Sequence, residues 1–193
     1  MMTIRGLVAQ IAFRVALVLT AITTMFSIAC GSETESVPVG ELTAGVIVDS
    51  QHTYTLDEFT AAGFKSSKDY DISDLPHAVS AHYGFWGLDP YNRNDYEIRF
   101  YPGHKEAIDY GEALAAERVG KDAKLTEETA TWKVGVRDAR ECHGALGQAQ
   151  HAASCLEAKY YDYMIVGNAI LLCGGDAVDV ARQNCEQLLA QLE

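Results

Sequence analysis

Residues 1–29 constrain this chain more than any other stretch, because they decide the compartment in which the rest folds. Arg5 and Arg14 are the only charged residues there, and residues 15–29 form an apolar run whose only polar members are Thr and Ser. A positive start, a short apolar segment and small residues before the cleavage point are the parts of a secretory signal. A membrane-spanning helix needs about 20 apolar residues, so this run is short for a permanent anchor. The sequence therefore predicts a signal peptide over residues 1–29 and an extracytoplasmic protein.

The end of this segment reads Ser27-Ile28-Ala29-Cys30. It resembles the lipobox of bacterial lipoprotein precursors, where a peptidase cuts before a cysteine that has received a diacylglycerol; Ser27 stands where the lipobox usually has Leu. The resemblance implies a lipidated, palmitate-bearing Cys30 that anchors the protein to the cell membrane or the outer membrane. Ordinary signal cleavage is the alternative, because Ser27 and Ala29 also fit a small-x-small pattern before the same bond.

The cysteine count favours lipidation over ordinary cleavage. The chain has five cysteines, and a lipid on Cys30 leaves an even set that suits disulfides in an oxidising compartment. Four cysteines allow three connectivities, and the simplest joins neighbours in sequence. The predicted disulfides are therefore Cys142–Cys155 and Cys173–Cys185.

The second pairing meets a geometric objection. If the last helix starts at Asp176, Cys185 lies about 13 Å along it at 1.5 Å per residue. Disulfide-bonded residues have Cα atoms within roughly 7 Å of each other. Asn184 and Gln187 have capping-box spacing, so a helix that begins or kinks at Asn184 would remove the objection.

Length and charge point to one acidic domain on a tether. Residues 30–40 are polar and rich in turn-forming residues, which predicts a flexible tether before a single domain over residues 41–193. The formal net charge is −12, and the export segment contributes only positive charge, so the mature part is more acidic still. An acidic domain repels phosphate backbones, which argues against nucleic acid as a partner.

Alternating apolar residues predict the strands. The pattern has a period of two over residues 79–86 and again over residues 96–101, with a polar loop between them that looks too long for a tight hairpin. Residues 160–166 and 169–173 form a second pair around Gly167-Asn168, which has two-residue hairpin chemistry.

Helical spacing appears in four places. Thr55 and Glu58 form a capping box, residues 107–115 carry an apolar stripe, and Asp176 precedes a final amphipathic helix. Residues 126–139 fit either a helix or a strand, and we favour a helix. The strand–strand–helix pattern thus occurs twice, which predicts an α+β, two-layer domain of about four antiparallel strands packed against helices.

Three short motifs give the chain a family likeness. They are Tyr-Gly-Phe-Trp at 83–86, Asp-Tyr-Glu-Ile-Arg-Phe-Tyr at 95–101 and Asp-Tyr-Met-Ile-Val-Gly-Asn at 162–168. Their layout is similar to that of small uncharacterised bacterial lipoprotein domains. The likeness implies no activity.

The sequence contains no recognisable catalytic or metal motif. Signatures of zinc proteases, serine hydrolases, phosphate-binding loops and covalent haem attachment are absent. Cys142, His143, His151 and Cys155 are zinc ligand types, but they lack the usual spacing, and export favours oxidation of the two thiols. We therefore expect no cofactor and no metal.

Strand parity leaves four polar or aromatic side chains on what we predict to be one non-core sheet face. His82, Trp86, Arg99 and Tyr101 would there offer stacking and charge-assisted hydrogen bonds, which are common in binding sites. The alternative is that a helix or loop covers this face. The function we expect is a lipid-anchored binding module for a small ligand or an envelope protein. The alternatives are an envelope enzyme, hydrolytic or zinc-dependent, and a purely structural envelope lipoprotein.

Overall fold

The computed structural model describes residues 43–141 and 155–192. The strands are β1 (Val46–Val48), β2 (Lys65–Asp69), β3 (Ser80–Asp89), β4 (Asn92–Phe100), β5 (Arg140–Glu141), β6 (Glu157–Ala158), β7 (Tyr160–Val166) and β8 (Ala169–Gly174). The helices are α1 (Leu56–Ala61), α2 (residues 104–116) and α3 (Val178–Leu189). Helix α2 contains a π-helical segment, Ala107–Gly111, between two short α-helical segments.

Several predictions about the N-terminal part fall outside the described residues. These are the signal peptide over residues 1–29, the tether over residues 30–40 and the lipid on Cys30. Within residues 43–141 and 155–192, no helix has the length and apolar character needed to cross a bilayer.

Six strands form one mixed sheet in the order β1-β7-β8-β4-β3-β2. Strand β1 pairs with β7 in parallel, and every other pair in this sheet is antiparallel. The four predicted strands are β3, β4, β7 and β8, and they are neighbours at the centre of the sheet. Strands β5 and β6 pair separately as a two-stranded sheet.

The α+β class is confirmed, but the number of layers is not two. Alternate residues of β7 and β8 pack against opposite partners: Met164 and Leu171 share a core with α1 and α3, whereas Ile165 shares a core with α2. Every residue of β8 is buried. Because both faces of the central strands are apolar, helices cover both faces of the sheet.

The capping signal at Thr55 is confirmed. The Thr55 side chain accepts a hydrogen bond from the Glu58 backbone N–H, and the Glu58 side chain accepts one from the Thr55 backbone N–H. The predicted cap on the last helix is wrong. The N-cap of α3 is Ala177, which makes no side-chain hydrogen bond, so Asp176 lies one residue too early.

The long loop predicted between the first two strands is also wrong. Strand β3 continues to Asp89 and β4 begins at Asn92, so only Pro90 and Tyr91 separate them. A register shift between Trp86 and Asp89 absorbs the irregular residues. Polar residues in this stretch belong to an exposed extension of the hairpin rather than to a loop.

The helix favoured over residues 126–139 does not form. This stretch is a series of turns, and side chains bind several of its carbonyl groups. Arg118 donates to the carbonyl oxygens of Trp132, at 2.7 Å, and Val134, at 3.1 Å. Trp132 is 2% exposed, so the apolar spacing that suggested a helix instead marks residues that cover the sheet.

The Cys173–Cys185 disulfide is present, with a Cα–Cα distance of 5.6 Å. The geometric objection fails because α3 begins at Val178 and runs back along the sheet, which brings Cys185 over Cys173. No kink at Asn184 is needed, since α3 is continuous through that residue. Cys155 is disulfide-bonded as well, and its predicted partner Cys142 lies outside the described residues.

Replacing both Cys173 and Cys185 by Ala should lower the free energy of unfolding by about 2–4 kcal/mol, because the disulfide restricts the unfolded chain and both sulfurs are buried. Urea unfolding of the full chain measures the change. Val79→Ala, at a residue that is 61% exposed, should stay within about 0.5 kcal/mol of the parent. A double variant as stable as the parent would show that the bridge does not hold α3 to the sheet.

Candidate functional site

The four residues predicted to form a binding face lie on two different faces of the sheet. His82 pairs with Ile98 across the strands, and Ala81 pairs with Arg99. Directly paired residues share a face, so His82 lies with the Ile98 core and Arg99 lies on the opposite side. The prediction of one shared face is wrong because the strand register, which the alternation patterns do not reveal, offsets the two strands by one residue.

All four side chains are also buried. The Trp86 indole N–H donates to the Ala62 carbonyl oxygen at 2.9 Å. His82 Nδ1 lies 2.7 Å from Asp69 Oδ1. The Tyr101 ring packs so closely on Gly111 that a Cβ there would lie 2.6 Å from the phenol oxygen. The contacts of Trp86 and Tyr101 join the sheet to the helices that cover it, and the contact of His82 joins β3 to β2, so the four residues do not form an exposed surface.

A polar cleft lies instead at one end of the sheet. Its volume is about 400 Å³, within the range of small-molecule sites. It is bordered by the start of β4, the residue before β7, the end of β8 and the first turns of α3. The lining residues are Arg93, Asn94, Asp95, Glu141, Lys159, Gly174, Gly175, Asp176, Val180 and Asn184.

Glycine at the end of β8 lets the walls of the cleft approach each other. A Cβ at Gly174 would lie 2.9 Å from the Asp95 backbone oxygen, and one at Gly175 would lie 2.8 Å from the Ala181 backbone nitrogen. The Asn184 side-chain amide donates to the Gly174 carbonyl oxygen at 2.8 Å, which ties α3 to the strand end. Residues 174–175, which form one wall of the cleft, are therefore held between β4 and α3.

Lys159, Asp95 and Tyr83 form a hydrogen-bonded network beside the cleft. Lys159 Nζ lies 3.0 Å from Asp95 Oδ1 and 3.1 Å from the Tyr83 hydroxyl oxygen, and that hydroxyl donates to the same carboxylate oxygen. The side chains of Lys159 and Asp95 are 18% and 27% exposed. Burial, and then the hydrogen bond to Asp95, raise the pKa of Tyr83, so its phenol stays protonated. The network presents a fixed, internally neutralised pair of charges.

Two further charges border the cleft without such compensation. Arg93 and Asp176 are exposed, and neither makes an ion pair with any residue in the described ranges. Among the described residues, the cleft thus presents a guanidinium and a carboxylate that have no ion-pair partner. The alternation patterns could not reveal this site, because its residues come from four segments that meet only when β4 pairs with β8.

No group of three or more metal-ligating side chains occurs within residues 43–141 and 155–192. Cys142, His143 and His151 lie outside these ranges. For these three residues, the expected absence of a metal stays a prediction.

Trp86→Ala should lower the free energy of unfolding by about 3–5 kcal/mol, because it removes a large buried side chain and its hydrogen bond to Ala62. Chemical denaturation of the full chain measures the loss. Tyr91→Ala, at the exposed hairpin turn, is the matched aromatic control and should change stability by less than about 0.5 kcal/mol. Unchanged stability of the Trp86 variant would contradict the burial of this side chain.

Comparison of the chain with curated proteins found no match, and neither did comparison with solved structures. The sequence profile of one family, described as a family of unknown function (DUF6810), matches residues 55–193. The match includes α1 and every later element, the cleft among them. The chain therefore belongs to the DUF6810 family of unknown function.

Proposed function

We propose that this protein is a lipid-anchored extracytoplasmic module that binds a small ligand in the cleft at the end of the sheet. The lipobox-like residues 27–30 support the anchor. The buried Cys173–Cys185 disulfide supports an oxidising compartment, since such bridges are rare in the cytosol. The polar cleft supports ligand binding at the strand ends rather than on a sheet face.

The observation that carries the ligand assignment is that Arg93 and Asp176 border one cleft without an ion-pair partner in the described parts of the chain. A guanidinium recognises a carboxylate, and a carboxylate recognises an ammonium group. A cleft of about 400 Å³ holds a molecule of the size of an amino acid or a short peptide. The ligand class we assign is a small zwitterion, with the Lys159–Asp95 pair forming a preorganised polar wall.

Saturation-transfer NMR of the full chain with a mixture of free amino acids tests the ligand class. At least one amino acid should bind, and its decarboxylated amine should bind about tenfold more weakly because it loses a charge-assisted hydrogen bond. Arg93→Ala should weaken binding of the zwitterion by a similar factor and leave binding of the amine unchanged.

The matched control is Arg137→Ala, which removes an exposed arginine that faces Glu127 outside the cleft. It should bind like the parent. Equal binding of zwitterion and amine by the parent protein, or equal loss in the Arg93 and Arg137 variants, would contradict the proposed ligand class.

Cys30→Ser tests the anchor independently of the ligand. The variant should move from the membrane fraction to the soluble extracytoplasmic fraction, or stay as an uncleaved precursor, because serine cannot carry the thioether-linked lipid. Fractionation with metabolic labelling by palmitate reads both outcomes. Ser32→Ala is the control and should remain labelled and membrane-bound. Labelling of the Cys30 variant would contradict lipidation at this residue.

A further inference from the structure

A cluster of buried charges lies under the turns of residues 126–139. Glu97 and Arg99 are 0% exposed and Arg118 is 2% exposed. Arg99 Nε donates to Glu97 Oε1 at 2.7 Å, and Arg99 Nη2 lies 2.6 Å from the same oxygen. Arg118 Nη1 lies 3.5 Å from Glu97 Oε2. Two guanidinium groups therefore share one carboxylate, which leaves one positive charge in excess.

Nearby carboxylates do not supply the missing charge. Asp138 accepts a hydrogen bond from Tyr70 beside the cluster, but Lys68 already pairs with it at 2.7 Å. Asp95 is paired with Lys159 at 3.0 Å. In the part of the chain that the structure describes, no further anionic group faces the two arginines. A buried charge without a partner is strongly unfavourable, so the excess positive charge of the cluster requires a negative counter-charge.

Several hydrogen-bond donors around the cluster are also without partners. They are Arg99 Nη1, the hydroxyl groups of Tyr101 and Tyr160, and Trp132 Nε1, and none of these side chains is more than 2% exposed. Burial raises the pKa of both tyrosines, so their hydroxyls keep their protons and can donate. Among the described residues, Glu97 Oε2 is the carboxylate oxygen of the cluster that makes no hydrogen bond, and it already faces Arg118.

The hydrogen-bond donors without partners lie closest to the excess positive charge at Arg99 and Tyr101. Arg99 lies on β4, and Tyr101 follows directly after the last residue of that strand. Arg99 lies next to the Trp132 ring, whose centroid is 4.8 Å from Arg99 Cζ. Arg118 uses its donors on backbone carbonyls, whereas Arg99 donates to Glu97 and lies beside the Tyr101 hydroxyl, whose pKa it lowers against the larger effect of burial. The Arg99 end of the cluster therefore has spare donors as well as positive charge.

We propose that a small monovalent anion of about the size of chloride binds inside the protein beside Arg99 Nη1 and the Tyr101 hydroxyl. One negative charge cancels the excess, whereas a divalent anion would reverse it. The complete burial of Arg99 and Glu97 excludes a large organic anion. The bound anion fixes the covering turns of residues 126–139 to the sheet, since Trp132 lies against both arginines. This site shares no residue with the lining of the cleft and does not depend on the proposed function.

Thermal unfolding of the full chain in detergent tests the site. The melting temperature is measured while chloride replaces gluconate at constant ionic strength, because gluconate is too large to enter. The melting temperature should rise with chloride and saturate, and bromide should act in the same way. Tyr101→Phe removes only the hydroxyl donor and should raise the half-saturating chloride concentration about tenfold.

Tyr163→Phe is the matched control, because its hydroxyl binds Glu112 at 3.3 Å on the same sheet face but outside the cluster. It should leave the half-saturating concentration unchanged. A melting temperature that does not depend on chloride, or an equal response in the two tyrosine variants, would overturn the proposal and leave water in contact with the donors. If Tyr101→Phe does not fold, crystals of the unaltered protein grown in bromide decide: an anomalous peak in contact with Arg99 Nη1 supports the site, and no peak there overturns it.

Discussion

The buried contact between Glu97 and Arg99 is the interaction on which the rest of this structure depends. Both side chains lie on β4, near the centre of the sheet, and neither is accessible to solvent. Charges at such a position are tolerated only when they are enclosed and paired, and removing one partner of a buried ion pair typically costs 3–5 kcal/mol. Arg118 and Trp132 provide the enclosure: one faces Glu97, and the other stacks on both guanidinium groups.

This requirement closes the sheet faces and leaves the proposed ligand site at one end of the sheet. Because residues 118–139 must cover the charged face, and α1 and α3 cover the opposite face, the centre of the sheet is closed on both sides. In the part of the chain that the structure describes, a cleft lies at the sheet end at which β4 starts and β8 finishes. Ligand binding at strand ends uses a rigid scaffold to hold loop and strand-end side chains, which is a common arrangement in proteins. The cleft bordered by Arg93 and Asp176 lies at this end.

Local signals in the sequence predicted local structure well. The Thr55–Glu58 capping box and the Gly167-Asn168 turn each depend on residues close together in the chain, and both are present. The apolar face of the last helix also appears, with Ala181, Cys185 and Leu188 buried. Such features follow from backbone preferences and hydrogen bonds within a few residues, so a single sequence carries the information.

Features that depend on distant pairing were not predictable in the same way. An alternating pattern shows that a strand has two faces, but only the register shows that His82 lies beside Ile98 and not beside Arg99. The spacing of Trp132, Val136 and Ala139 fits a helix, yet Arg118 binds carbonyl groups that a helix would use internally. The cleft is the extreme case, since Asp95, Lys159 and Gly174 meet only through the pairing of three strands.

The small ligand of the proposed function binds at the sheet end rather than on a sheet face. The most direct measurement is a residue-resolved NMR titration of the full chain, in detergent, with the tightest-binding free amino acid. Backbone amide shifts should change at residues 93–95, 159 and 174–176 and stay constant at residues 82, 86, 99 and 101. Changes centred on the second group, with the first group unaffected, would contradict binding at the sheet end.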